Sequence, residues 1–532
     1  MPDTAAALAL HAMRAGTGPT LLLLHGIGSS APSWQRQFER LSADYTLIAP
    51  DLRGYGDSPD PTGPPSLDAV ADDLAALLEG KPAHIVGVSF GALAALGLVR
   101  RHPALVRSLV LSDTTLGRGF LGPADLKAWV DGRYALSAEL QSRADERAAE
   151  IAGPNATPGV LAEIARNMRR ARPAGYTYVT DIIAATDARP WLPAIDVPAL
   201  VICGEHDGVV GLALSQTIAE AMPDARLATI PGAGHAPNVE SPDAFATAVR
   251  AFVDSVDRPD QVVRVALAGA GAIATVLIDG IARGSGGLAR VTAIGRLESE
   301  AAAVDVRACR QSAAAVGDLA LLPQHASLII EAAGGDVVRQ YAAGWLAHGA
   351  DVMILSAGAL VDPDFARELR AVARKHNRRI LVPSGAVAGI DGIRAGALGG
   401  LTRLQLRTTK PPRGLAGAPH VVANNIDLDA LTVPTTIFEG TVAEAVRGFP
   451  SNVNVAAVIS LAGAGVDVRV SVIADPTGSS NIHEIEASGD FGTFTVKLDN
   501  LPSSANPKTS ALAPLSALAM LRRLSAELWV GA

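Results

Sequence analysis

Two groups of residues in this 532-residue chain could do chemistry, one in each half. In the first half, Gly87-Val88-Ser89-Phe90-Gly91 has the form G-x-S-x-G. A serine so placed sits on a tight strand-to-helix turn that exposes its Oγ, and small flanking residues relieve the crowding. A serine hydroxyl alone is a weak nucleophile and needs a base. His235, in Pro231-Gly-Ala-Gly-His235, is the best base, and Asp207, closing Gly204-Glu-His-Asp207, is the best orienting acid. Ser89, Asp207 and His235 follow one another in the order used by a nucleophile-elbow triad. The N–H groups of Ile27 and Phe90 are the expected oxyanion donors. Glu205 is a rival acid, and His84 and His206 are rival histidines.

The second group lies at the midpoint. Val265-Ala-Leu-Ala-Gly-Ala-Gly-Ala-Ile-Ala274 reads as a buried strand, a glycine turn and the first turn of a helix. Gly269, Gly271 and Ala274 fill the three small-residue positions of a G-x-G-x-x-G/A fingerprint. The first makes the turn, the second lets a pyrophosphate approach the backbone, and the third lets helix and strand pack closely. Helix-terminal N–H groups would face the phosphates. The strand expected at 289–295 ends in Gly295-Arg296, where an NAD-selective site usually carries an acid. Arg296 either holds a ribose 2′-phosphate, which a guanidinium matches, or is a solvated surface arginine. The cofactor expected is therefore NAD or NADP, with NADP accepted.

Parallel-sheet strands must position these residues. Continuous apolar runs at 19–24, 46–50, 83–88, 108–111, 199–203 and 226–230 read as strands buried on both faces. Helical patterns such as 67–79 and 241–254 separate most of them. Beyond the glycine turn, strands are expected at 327–332, 351–355 and 379–382, with a helix after the first of them to about 348 and another at 363–376. Further on, strands are expected at 401–408, 466–474 and from 481, with helices at 442–448, from 455 and near the C-terminus. Alternation of this kind makes an α/β protein of doubly wound sheets, with an α+β region at the end. Asp254-Ser-Val-Asp-Arg-Pro-Asp260 is short and charged and reads as the joint.

Composition removes several classes. A net charge of −8 and 4% aromatic residues give neither the basic footprint nor the stacking surface of a nucleic-acid binder. No apolar run reaches the ~20 residues of a membrane span, and the N-terminus lacks the order of a secretory signal. Cys203 and Cys309 fall in different halves, so reduced thiols and a cytoplasmic location are expected. No metal-ligand spacing is evident.

The motifs HGIGSSAPSW, APDLRGYGDS, GVSFG, GEHD and GAGHAPNVESPDAF resemble the α/β-hydrolase superfamily over residues 1–256, with NVESPDAF closest to its enol-lactonase and small-ester branch. The resemblance implies a lid at about 116–186 and a serine hydrolase acting on an ester or lactone. PSGAVAGIDGI, TTKPP, FPSNVNVAAVISLAG, NIHEIEASGDFG and NPKTS resemble L-aspartate dehydrogenase from 262 to the C-terminus. That family oxidises L-aspartate to iminoaspartate with NAD or NADP, and the imine enters NAD biosynthesis or hydrolyses to oxaloacetate and ammonia. Carried over by motif, His483 takes the catalytic position, and Ala386 and Asn454 take dinucleotide-binding positions. The implied domains are a dinucleotide-binding domain at 262–384, a catalytic domain at 385–505 and a C-terminal helix within 506–532 that packs back on them.

Chemistry adds its own candidates. Oxidation at Cα needs a neutral amine, so a group titrating near neutrality must manage its proton, which suits histidine. A dicarboxylate needs cations, and Lys410 and Lys508 are the candidates, with Arg407 behind them. His483 would otherwise be a hydrogen-bonded strand histidine. The reading is a fusion of hydrolase and dehydrogenase on small-molecule substrates, with a homodimer as candidate assembly. The alternative is a dehydrogenase of another amino or hydroxy dicarboxylate joined to a non-catalytic hydrolase-like module.

Overall fold

A computed structural model describes residues 7–295, 301–449, 454–501 and 510–530. Arg296, Lys508 and parts of the FPSNVN and NPKTS motifs lie outside them. The chain divides into two compact units, the first running to Gln261 and the second from Val262, with the short segments Ala282–Gly284 and Cys309–Ser312 grouped with the first.

In the first unit the apolar runs become strands because each is covered on both faces. β1 (Ala12–Ala15), β2 (Thr20–Leu24), β3 (Thr46–Pro50), β4 (Ala83–Val88), β5 (Val106–Ser112), β6 (Ala199–Gly204) and β7 (Ala225–Ile230) form one sheet in the order β1-β3-β2-β4-β5-β6-β7. All neighbours are parallel except β1 and β3. Every residue of β4 and β6 is buried, as a sheet flanked by helices on both sides requires. Between β5 and β6 the chain forms helices Pro123–Glu139, Ala144–Ile151, Pro158–Met168 and Pro173–Ala185. In the first only Ser137 is buried, but half-buried Trp129 and Leu136 pack against the core of this unit.

The second unit has two sheets. β8 (Val263–Ala268), β9 (Ala289–Gly295), β10 (Ala314–Val316), β11 (Leu328–Glu331), β12 (Asp351–Ile354) and β13 (Ile380–Leu381) are all parallel, in the order β10-β9-β8-β11-β12-β13. Numbered within the unit, this is 3-2-1-4-5-6, the order of a Rossmann dinucleotide-binding sheet, and the progression of strand order reverses between β8 and β11. The other sheet joins β14 (Leu401–Lys410), β15 (Thr435–Thr441), β16 (Val468–Ala474), β17 (Asn481–Gly489) and β18 (Gly492–Asn500) in the order β15-β16-β14-β17-β18. Helix Asn454–Ala462 packs Val455, Ala456 and Ile459 into the core of that sheet. The terminal helix Leu512–Leu524 returns to the Rossmann sheet, with Ala517, Leu518 and Leu521 buried beside Val265, Leu267 and Ile278.

Two candidate active sites

At the end of β4, Ser89 takes φ 56 and ψ −114, a backbone that a non-glycine residue rarely adopts and that costs ~1–3 kcal/mol. The sequence around it makes this turn affordable. A Cβ on Gly91 would stand 2.1 Å from the Leu24 carbonyl oxygen, and one on Gly87 would stand 2.4 Å from the Gly91 carbonyl. The Ser89 N–H donates to the Ser112 carbonyl at 2.9 Å, which fastens the elbow to β5. Phe90 opens helix Phe90–Arg101, so its N–H has no intrahelical acceptor. Ile27, Ser89 and His235 line one cavity of about 110 Å³.

His235 Nδ1 lies 3.0 Å from Asp207 Oδ1, and Asp207 also accepts from the N–H of Val209 at 2.8 Å. Burial lowers the imidazole's pKa, but the Asp207 bond and charge outweigh it, so the net shift is upward. Burial likewise opposes the Asp207 charge, yet the His235 bond prevails and holds that carboxyl below its ordinary range. The rivals are engaged elsewhere. Glu205 accepts from Gly232 N–H, the His206 side chain is half exposed, and buried His84 bonds to Ser108 Oγ at 2.7 Å.

Asp113 was not among the sequence candidates. It directly follows β5, is fully buried, and accepts from Ser112 Oγ at 2.7 Å and Gly204 N–H at 2.9 Å. Ligating atoms of Asp113, Asp207 and His235 lie within 4.8 Å of one another. Burial drives the Asp113 pKa upward, while the His235 bond and charge drive Asp207 down. The signal was present, since an acid directly after a strand is what singled out Asp207.

The second site is built by strand periodicity. On β14, Leu404, Leu406, Thr408 and Lys410 alternate onto the covered face, and exposed Arg407 falls on the other, away from Lys410. On β17, His483, Ile485 and Ala487 take the covered face. Antiparallel register sets Thr408 opposite His483, and Thr408 Oγ1 lies 3.1 Å from His483 Nδ1. His483 and Lys410 line a cavity of about 160 Å³ with Ala386, Asn454 and Asn481. Ile273, from the first turn after the glycines, lines it as well. Asn454 Oδ1 accepts from Gly358 N–H at 3.1 Å, and Asn500 Nδ2 donates to the Ala386 carbonyl at 3.0 Å.

Burial, and then the Lys410 charge, lower the His483 pKa to about 4, so the imidazole is neutral at physiological pH rather than titrating near 7 as expected. Burial lowers Lys410 to about 8. The glycine turn fits a dinucleotide. Gly269 has φ +102, and a Cβ there would stand 3.0 Å from the Ala333 Cβ. Gly271 offers its carbonyl to Thr275 N–H as helix Ala272–Ala282 begins, and Ala274 is wholly buried. Glu331, fully buried at the end of β11, accepts from the N–H groups of Ala333, Gly334 and Ser356. It therefore holds the loops of the crevice where the strand order reverses.

An elbow serine beside a His–Asp pair on this sheet defines an α/β-hydrolase fold, and the second unit defines a pyridine-nucleotide dehydrogenase. Family models agree. Residues 19–242 match the alpha/beta hydrolase fold, 269–383 the homoserine dehydrogenase NAD-binding domain and 391–524 the aspartate dehydrogenase C-terminal domain. The L-aspartate dehydrogenase of Methanosarcina mazei is 49% identical over 205 residues, 38% of this chain and 76% of that one. That of Methanocella arvoryzae is 40% identical over 269 residues, 50% of this chain and 99% of that one. Among solved structures, the enol-lactonase of Burkholderia xenovorans is 29% identical, covering 47% of this chain and 98% of its own, with a TM-score of 0.43. The chain belongs to the L-aspartate dehydrogenase family, as an enzyme that also carries an α/β-hydrolase-fold domain.

Proposed function

We propose that the second unit (dinucleotide-binding residues 262–384, catalytic residues 385–505 and a C-terminal helix) oxidises L-aspartate to iminoaspartate. The product then hydrolyses to oxaloacetate and ammonia or enters NAD biosynthesis. The observation that carries this is the meeting of His483, Lys410, Ala386, Asn454 and Ile273 on one cavity. Gly269, Gly271, Ala274, Ala386 and Asn454 would hold the dinucleotide, with Arg296 at the ribose so that NADP is accepted alongside NAD. When bound, the dinucleotide supplies the two-electron acceptor for the hydrogen leaving Cα. Lys410 pairs with a substrate carboxylate, and Lys508 is the second candidate cation. With Nδ1 bonded to Thr408, His483 Nε2 is left to take the α-ammonium proton. A dicarboxylate beside Lys410 offsets the charge that lowers His483, which raises the basicity of the imidazole when substrate is present. His483→Ala should lower aspartate-dependent absorbance at the nicotinamide band by ~10²–10⁴-fold, the usual weight of a general base, with dinucleotide affinity kept. Unchanged turnover would end the assignment.

We infer that the first unit is a serine hydrolase of small esters or lactones, with residues 116–186 as its lid. Ser89 Oγ attacks the acyl carbon, His235 takes the hydroxyl proton and returns it to the departing alcohol, and water then frees the acid by the same route. The N–H groups of Ile27 and Phe90 hold the oxyanion. The strained Ser89 backbone and the 3.0 Å His235–Asp207 contact support this reading, because a scaffold has no use for either. A fluorophosphonate should label the wild-type chain and not Ser89→Ala. Equal labelling of both would refute it.

A further inference from the structure

The hydrolase cavity carries a charge that its chemistry, as described, does not use. Its lining is mostly apolar, with Leu136, Leu140, Ile164 and Met168 among the side chains, and it includes no carboxylate. It does include Arg133, from the lid helix Pro123–Glu139. Arg133 donates to Tyr176 Oη at 3.2 Å and lies over the Trp129 ring at 5.3 Å, but it has no carboxylate partner among the described residues. Arg147 also lines the cavity but is paired with Glu150.

A half-buried guanidinium with no carboxylate partner loses hydration that nothing replaces in full. A carboxylate on the substrate would replace it with a charge-assisted pair. Arg133 lines the same cavity as Ser89 and His235, so it faces the space in which the ester would react. A cavity of about 110 Å³ holds roughly eight water-sized groups at ~10–15 Å³ each, enough for a short acyl chain and a terminal carboxylate. A guanidinium matches a carboxylate in two parallel hydrogen bonds.

Resting on the hydrolase reading, we propose that this cavity takes short-chain esters or lactones that bear a free carboxylate, which Arg133 holds. The substrate is thus oriented by its charge, and its acyl carbon is cleaved by the Ser89 route already described. No further reactant is needed.

The test compares monomethyl succinate with methyl butyrate on the full-length chain, following acid release at constant pH. The acyl chains have the same length and differ in the terminal carboxylate. The ratio of kcat/KM, succinate ester over butyrate ester, should be well above one in the wild type. In Arg133→Gln it should fall by roughly tenfold to a hundredfold, the weight of a charge-assisted contact, mostly through KM, and Arg133→Lys should restore part of it. A ratio near one in the wild type overturns the proposal, and so does a ratio that Arg133→Gln leaves unmoved. Fluorophosphonate labelling separates the two failures. If Ser89 is labelled but the ratio is flat, only the carboxylate preference falls. If Ser89 is not labelled and neither ester is cleaved, the hydrolase reading falls with it.

Discussion

At the scale of single residues, the dehydrogenase site is set by how far burial moves two groups. Lys410 titrates at about 8 because burial opposes its charge. Its pKa is lowered, so the ammonium persists below that pH and is lost above it, and with it the proposed anchor for a substrate carboxylate. Succinate, which does not titrate above pH 7, should therefore bind with a Kd that is flat from pH 6 to 7 and rises steeply past 8, read by competition against aspartate. Lys410→Arg should carry that limb to higher pH, because a guanidinium stays charged far above the range of an ammonium. A Kd indifferent to pH up to 10 would remove Lys410 from the substrate. The same burial keeps His483 neutral, which is the form a proton acceptor needs.

At the scale of elements, both sites depend on glycines at turns where strands give way to helices, and the cost of a methyl group differs among them. On Gly91 a Cβ would stand 2.1 Å from the Leu24 carbonyl oxygen, and backbone cannot swing aside. On Gly269 it would meet the Ala333 Cβ at 3.0 Å with φ +102, so strain and a tight contact combine. On Gly334, φ +118, nothing lies within 4 Å and only strain remains. Gly91→Ala should cost more than ~4 kcal/mol and abolish fluorophosphonate labelling. Gly334→Ala should cost only the ~1–3 kcal/mol of an unfavoured backbone, and Gly269→Ala should fall between them. Thermal unfolding of the three variants checks the order. Equal losses would mean that contact at the turns is unimportant.

At the scale of the whole molecule, each compact unit has its own hydrophobic core and its own cavity. Side chains that share no partner usually contribute additively. Ser89→Ala should leave aspartate oxidation within about twofold of wild type, and His483→Ala should leave ester cleavage likewise. The double variant should lose each activity as fully as its single parent. Assaying both reactions on one set of four proteins tests this. A loss of aspartate oxidation in Ser89→Ala would show that the two chemistries are coupled.

Local pattern was enough to locate the elbow turn, the glycine turn and most central strands, because each is written within a few consecutive residues. Apolar runs buried on both faces announce themselves, as at 83–88 and 199–204. The strands not expected from sequence are Ala12–Ala15, Ala314–Val316, Thr435–Thr441 and Gly492–Asn500, which are short or largely exposed and lie at sheet edges. They are extended because a neighbour offers a hydrogen-bond ladder, not because their own residues demand it. The same division runs through the sites. Chain order was legible, but only pairing register could bring Thr408 to His483 across 75 positions and turn Arg407 away. Only packing could add Asp113 to the Asp207–His235 pair and lower His483 to about 4. The sequence by itself determined which reactive groups exist and which turns expose them. The tertiary structure decided which groups meet, and at what protonation, because register and burial are properties of neighbours distant in the chain.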